Sequence, residues 1–174
     1  MVDPQLKSQL ACSSKPRNMV NKRKQMRTQN NMEIKRLDAT DKDEAVQVIE
    51  LFFPGDDADK NVERFLENTE NYLLVAYWQG TAVGILLGYE LQRPDTHSPL
   101  FFLYEMEVLE TQRRLGIGRE LTEAFKHICI ARGGSQLFLM TNASNTAAMN
   151  LYRSTGGIEE GDDNVLFVYE IDKR

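Results

Sequence analysis

The spacing of apolar positions changes several times along the chain, and each change marks an element. Met32 opens Glu33-Ile34-Lys35-Arg36-Leu37, a short strand-like run. Asp38, Thr40 and Asp41 then offer capping oxygens, and Ala45, Val46, Val48, Ile49 and Phe52 follow at helical spacing, so a first helix is expected up to Pro54-Gly55. Asp56, Asp57 and Asp59 form an acidic turn before a second helix over residues 61–67, which carries Val62, Phe65 and Leu66. Tyr72-Leu73-Leu74-Val75-Ala76-Tyr77-Trp78 is β-branched, aromatic and apolar, and Gln79-Gly80-Thr81 turns the chain back into residues 82–91, which predicts a hairpin. After a loop over 92–99, residues 100–108 read as another strand. Its alternation leaves Glu105 and Glu107 on one face if the strand is unbroken.

A third helix is expected over residues 118–131, with Leu121, Ala124, Phe125, Ile128 and Cys129 on one stripe and Gly133-Gly134 as its stop. Residues 136–141 make a fifth strand, Ser144 caps a helix through about residue 154, and residues 165–171 close as the last strand. The order β-α-α-β-β-β-α-β-α-β predicts an α/β fold of the mixed α+β kind, a mixed sheet flanked by helices on both faces. No repeat interrupts it.

At 174 residues, 41% hydrophobic and 27% charged, the chain can bury one core. Its charge is unevenly spread. Seven of the 21 basic residues but one of the 26 acidic ones fall in residues 1–31, which leaves 14 and 25 to residues 32–174 and a net of −11 there. Residues 1–31 are polar and basic, without clustered apolar positions, and read as a disordered, solvated leader before a domain over 32–174. Met32 is a candidate alternative start. An acidic domain repels nucleic acid, and nothing approaches the ~20 apolar residues of a membrane span, so a cytoplasmic protein that engages neither is expected. Cys12 and Cys129 lack CxxC spacing, and with only two histidines, His97 and His127, neither a disulfide framework nor a metal site is predicted.

The segment Arg113-Arg114-Leu115-Gly116-Ile117-Gly118 sits between a strand and a helix. A glycine-containing turn there lets backbone N–H groups face an anion, with the helix N-terminus adding favourable potential and Arg113, Arg114 and Arg119 adding charge. It is neither a GxxxxGK[ST] loop nor a full GxGxxG. In that position it resembles the acyl-CoA-binding motif of the GCN5-related N-acetyltransferases (GNAT): Gln or Arg, two residues, Gly, one residue, then Gly or Ala. Asn145-x-x-Ala148-x-x-Leu151-Tyr152-x-x-x-Gly156 is similar to the family's second signature. The resemblance covers about residues 32–171. Within the family, residues 103–108, 112–118 and 157–160 look most like aminoglycoside 3-N-acetyltransferases of the gentamicin-resistance type.

The resemblance implies a mostly antiparallel GNAT sheet and acetyl-CoA as co-substrate, with no metal. It implies cofactor contacts from Met106, Val108, Arg113, Arg114, Leu115, Gly116, Ile117, Gly118, Arg119, Asn145, Ala148 and Tyr152. A bulge in the fourth strand would free backbone N–H groups around Met106 to Val108 for the thioester carbonyl. Glu105 matches the acidic general base of a Tyr-Asp-x-x-Val stretch, with one methylene more, and acts directly or through a water; Tyr152 would protonate the departing thiolate. His97 and His127 are read as structural. Asp56, Asp57, Glu105, Glu107, Glu160, Asp162 and Asp163 fall in segments that ring the acceptor cleft in related enzymes, which suits a polycationic amine. An aminoglycoside acetylated at its 3-amino group, with antibiotic resistance as the result, is the first expectation. A polyamine, a peptide or protein amine, or acyl-CoA binding without catalysis are the alternatives. The family resemblance also allows a homodimer.

Overall fold

A computed structural model describes residues 32–55 and 58–160. The expectations for residues 1–31, for Asp56 and Asp57, and for residues 161–174 with their closing strand, Asp162 and Asp163, lie outside the described residues. The strands are β1 (Met32–Leu37), β2 (Asn71–Trp78), β3 (Thr81–Leu91), β4 (Leu100–Val108) and β5 (Gln136–Leu139). The helices are α1 (Lys42–Phe52), α2 (Ala58–Glu67), α3 (Ile117–Ala131) and α4 (Thr146–Ser154). The sheet runs in chain order β1-β2-β3-β4-β5. Its first three pairings are antiparallel and β4 with β5 is parallel, so it is mixed and mostly antiparallel, as expected.

Continuous apolarity in β2 has a simple cause: residues 72 to 76 are all buried, because helices cover both faces. Even residues of β2 face α3, where Tyr72 and Leu74 pack with Leu86, Phe101, Leu103, Ile117, Leu121 and Phe125. Odd residues face α1 and α2, where Leu73, Val75 and Ile85 meet Ala45, Val48, Val62 and Leu66. Each large side chain taken fully out of water contributes about 1.5–3 kcal/mol, so the two clusters together hold the sheet between its helices.

Several boundaries move for local reasons. Asp38 and Asp41 form a reciprocal capping box around a 3-10 turn at Ala39–Asp41, and α1 begins only after it. Helix α2 starts at Ala58, earlier than the apolar stripe suggested. Strand β5 stops at Leu139 rather than at Thr141. Asn145, not Ser144, caps α4: its side-chain oxygen accepts from the Ala148 N–H at 3.1 Å.

One charged cluster lies within the core. Glu90 of β3, its side chain 2% exposed, accepts from Tyr72 Oη at 2.6 Å and from Arg132 Nε and Nη2 at 3.0 and 3.1 Å. Burial by itself would raise this carboxyl, but the hydrogen bonds from Arg132 and Tyr72 outweigh burial and hold it below the usual carboxylate range. Tyr72 moves the other way, pushed up to about 12 by burial and by the neighbouring carboxylate. The Arg36 guanidinium lies 4.1 Å from the centre of the Tyr72 ring. Together these groups tie β1, β2, β3 and the C-terminal end of α3 at one point.

Candidate active site

The site begins with two irregularities of β4. Its pairing with β3 shifts at Leu87/Gly88: Gly88 opposes Leu103 and Leu87 opposes Glu105, which leaves Tyr104 as the extra residue of a bulge. Its pairing with β5 covers only Leu100 to Leu103, opposite Gln136 to Leu139, so β4 runs on from Tyr104 to Val108 with no strand on that side among the described residues. The bulge expected from the family resemblance is present, and it lies just before Glu105.

Gly88, at the shift, is packed tightly under α3. A Cβ on Gly88 would come within 2.3 Å of Phe125 Cζ, so the α3 ring occupies the space that a side chain would need. Phe125 is fully buried, with ring centroids of Tyr72 and Phe101 at 5.6 and 6.0 Å.

Beyond the bulge, the register sets which groups face where. Leu109 donates its N–H to the Val83 carbonyl at 3.0 Å, which makes that pair hydrogen-bonded; Glu107–Ile85 and Glu105–Leu87 belong to the same class by alternation. The backbone groups of Met106 and Val108 therefore point away from β3 into the opened edge. The Val108 carbonyl is met there by Arg113 Nε at 3.2 Å. Side chains divide likewise: Met106 and Val108 pack on the α3 core, while Glu105 and Glu107 share the face of Leu87 and Ile85. The shared carboxylate face expected from alternation holds, because the bulge precedes both residues.

After β4 the loop carries residues 113–118 into α3. Arg114 takes φ +65° and Gly116 φ +87°, both left-handed, and Gly116 caps the helix with open space around its Cα. The first helical bond is Glu120 N–H to the Gly116 carbonyl, so Ile117, Gly118 and Arg119 have no helical acceptor for their N–H groups. A helix start of this kind presents unpaired donors and positive potential.

The two glycines serve different ends. Gly116 meets the conformational demand, whereas a Cβ on Gly118 would lie 3.1 Å from Leu151 Cδ2 and 3.7 Å from Met106 Cε, so its absence lets α3 close on α4 and β4. The arginines also divide. Arg114 and Leu115 are exposed at the turn. Arg113 bonds to Val108 and lies 3.7 Å from Glu107. Arg119 is engaged with Ser154, donating to its carbonyl at 3.1 Å and its hydroxyl at 2.8 Å, and so joins α3 to the end of α4.

Tyr152 of α4 is partly buried against the α3 core. Burial, and secondarily the charge of Glu105, raise its phenol above the ordinary value. Tyr152 is thus close enough to Glu105 to respond to its charge. Asn145 and Ala148 are joined by the α4 cap, and Glu160 is exposed at the end of the described chain. Cys129 is a buried thiol pushed up to about 12 by burial. No group of His, Cys, Asp and Glu among the described residues could hold a metal ion. No helix among them is long and apolar enough to cross a membrane.

Two features escaped the sequence reading. A cavity of about 310 Å³ opens between the end of α1 and the end of β4, lined by Leu51, Phe52, Phe53, Glu107, Glu110 and Arg113. Tyr104, Phe102 and Phe138 form an aromatic surface beside Glu105. The clue to the cavity was Phe52-Phe53 beside Pro54, a wide apolar end on a helix facing solvent. The aromatic surface had no sequence signal, because Phe102 and Phe138 meet only through the parallel β4–β5 register.

Comparison with known proteins places this geometry. An aminoglycoside acetyltransferase from an uncultured soil metagenomic sample, solved in complex with sisomicin, aligns with a TM-score of 0.70 at 24% identity, over 81% of this chain and 97% of that one. The aminoglycoside N-acetyltransferase AAC(6')-Iy in complex with CoA aligns at 0.67 and 22%, over 81% and 95%. A ribosomal-protein-alanine N-acetyltransferase from Brucella melitensis biovar Abortus 2308 aligns at 0.62 and 20%, over 79% and 99%. These likenesses establish a common fold. No curated protein sequence matches the chain. The family model described as "Acetyltransferase (GNAT) family" matches residues 42–156, which include the bulged β4, the turn into α3 and the helix that carries Tyr152, and the chain belongs to that family.

Proposed function

We propose that the protein transfers an acetyl group from acetyl-CoA to an amine of an aminoglycoside, at the 3-amino group, and that this modification confers resistance. The observation that carries the reading is the opened edge of β4, where the backbone groups of Met106 and Val108 face no strand among the described residues, together with a carboxylate, Glu105, whose charge a phenol, Tyr152, responds to. Membership of the GNAT family supports acetyl-CoA as donor. The residues fit such a ligand: the N–H groups of Ile117, Gly118 and Arg119, with the exposed Arg114 and Leu115 and the Gly116 turn, would hold its pyrophosphate, and the N-terminal end of α4 at Asn145 and Ala148 would flank its arm.

Bound acetyl-CoA supplies an activated acetyl thioester. Glu105 takes the proton of the attacking amine, directly or through one water. The N–H groups of Met106 and Val108 donate to the carbonyl oxygen as it gains charge. Tyr152 gives its phenolic proton to the departing sulfur, and its raised pKa keeps that proton in place at neutral pH. Glu107 adds negative charge on the acceptor face, and Glu160, Asp56, Asp57, Asp162 and Asp163 are assigned to the same acidic surround. Cytoplasmic location belongs to the same proposal, since the donor is a metabolite of that compartment.

A second acceptor position is favoured by one specific observation. AAC(6')-Iy is a structural neighbour, and its name carries the 6' position rather than the 3 position. A thiol-release assay with gentamicin, kanamycin, spermidine and a Lys-containing peptide, followed by NMR of any acetylated sugar, decides among these. Turnover of the peptide alone refutes the aminoglycoside reading. Acetyl at the 6' nitrogen corrects the position and leaves the class standing.

A further inference from the structure

Five aromatic rings form a continuous row on the sheet face that α1 and α2 share. Phe65 of α2 meets Tyr89 of β3 with centroids 5.8 Å apart, Tyr89 meets Tyr104 at 5.7 Å, and Tyr104 meets Phe102 at 5.8 Å, all three edge-on. Phe102 then stacks on Phe138 of β5 at 4.9 Å with planes 14° apart. Cross-strand packing accounts for the stacked pair and the edge contacts. It does not account for the exposure of Tyr104, which at 57% is the one aromatic among the exposed large apolar residues of the described chain.

Position and charge point to an occupant. Tyr104 is the bulge residue, so the same irregularity that frames Glu105 also pushes this ring forward. Glu105 and Glu107 continue along the same face of β4. An apolar ring surface that runs into carboxylates is complementary to a rigid, ring-bearing cation, whose C–H faces lie on the aromatic rings while its ammonium groups meet the carboxylates. A flexible linear polyamine would gain from the carboxylates but would offer no face to the rings.

We infer that Tyr104, backed by Phe102 and Phe138, is the platform on which the ring of a cationic amine acceptor lies, and that it selects ring-bearing over linear amines of equal charge. This rests on the acetyl-transfer reading only in taking that cation to be the acceptor. The test is calorimetric titration of the full chain, saturated with CoA, with kanamycin and with spermine. Tyr104→Ala raises the kanamycin Kd about tenfold and leaves the spermine Kd within about twofold, the size set by one lost ring-stacking surface that a linear amine does not use. Tyr104→Phe restores kanamycin binding, and CoA affinity is the same in all three proteins.

Equal changes for both amines, an unchanged kanamycin Kd, or no kanamycin binding by the parent overturns the platform. A change in oligomeric state of Tyr104→Ala by light scattering also overturns it, since the ring would then be covering a second copy. Ring-selective binding without thiol release from any amine upholds the platform and refutes acetyl transfer. Efficient release with both amines and no Tyr104 effect does the reverse.

Discussion

Gly88→Ala is a single added methyl group with a calculable consequence. The new Cβ would stand 2.3 Å from Phe125 Cζ and 2.8 Å from both Cε atoms, distances that real Cβ atoms do not tolerate. Phe125 has nowhere to go, being fully buried between Tyr72 and Phe101, so strand and helix must separate. Overpacking of this kind costs about 1–3 kcal/mol. Replacing a strand glycine returns about 0.5–1 kcal/mol of chain entropy, which offsets only part of the clash unless the clash lies at the bottom of its range. A net loss of about 1–2 kcal/mol follows, or a Tm lowered by about 2–8 °C for a chain of this size. Urea unfolding followed by Trp78 fluorescence measures it. Phe125→Leu makes room, so Gly88→Ala/Phe125→Leu should be more stable than the two single effects added together, by about 1 kcal/mol. Because Gly88 lies at the register shift that sets Glu105, turnover should fall well below the melting range. A variant as stable as the parent, or strictly additive effects, refutes the claim that Phe125 fills the space over Gly88.

The remaining predictions concern charge. Glu105→Gln should lower kcat by about 10²–10³ while acetyl-CoA affinity, measured by titration, changes little; parental activity would remove Glu105 from proton transfer. Tyr152, raised by burial and by Glu105, should keep its proton past pH ~10, so kcat shows no falling limb below that pH, and Tyr152→Phe should be slow throughout. A limb centred near pH 8 in the parent would contradict this. Tyr72→Phe removes a donor from buried Glu90 and should cost about 2 kcal/mol at pH 7. Glu90 is held below its unfolded value, so its contribution is present above pH ~4.3 and disappears as pH falls through the lower folded value. The stability difference between Tyr72→Phe and parent should therefore shrink below pH 4, and a constant difference would refute the linkage.

Much of the frame was legible because single elements announce themselves. The stripe from Leu121 to Cys129 and the apolar run from Tyr72 to Trp78 depend on near neighbours in sequence, and both appear where periodicity puts them. What could not be read depends on partners far along the chain. The bulge at Tyr104 appears only in the pairing of β4 with β3, and Gly88 beside it packs under Phe125, 37 residues later. Gly118 fits an anion loop as a string, yet its missing Cβ answers Leu151. Arg119 reads from the string as a charge for phosphate, and its hold on Ser154 at the end of α4 has no local signal. A single acid at position 90, inside the apolar run Ala82 to Leu91, was the available hint of a buried cluster, but nothing local names Arg132 as its partner.

The way β4 departs from its neighbours also bears on how such a protein can change over time. Donor-side groups at Met106, Val108 and the start of α3 belong to the main chain, so codon changes at those positions alter packing but cannot delete an N–H unless they introduce proline. On the opposite face, Tyr104, Glu105 and Glu107 contribute through side chains alone, and each can be replaced in one mutational step. On the proposed acetyl-transfer reading, thioester chemistry is inherited with the backbone path while the choice of amine is free to drift, and a lineage could exchange acceptors many times without rebuilding that edge.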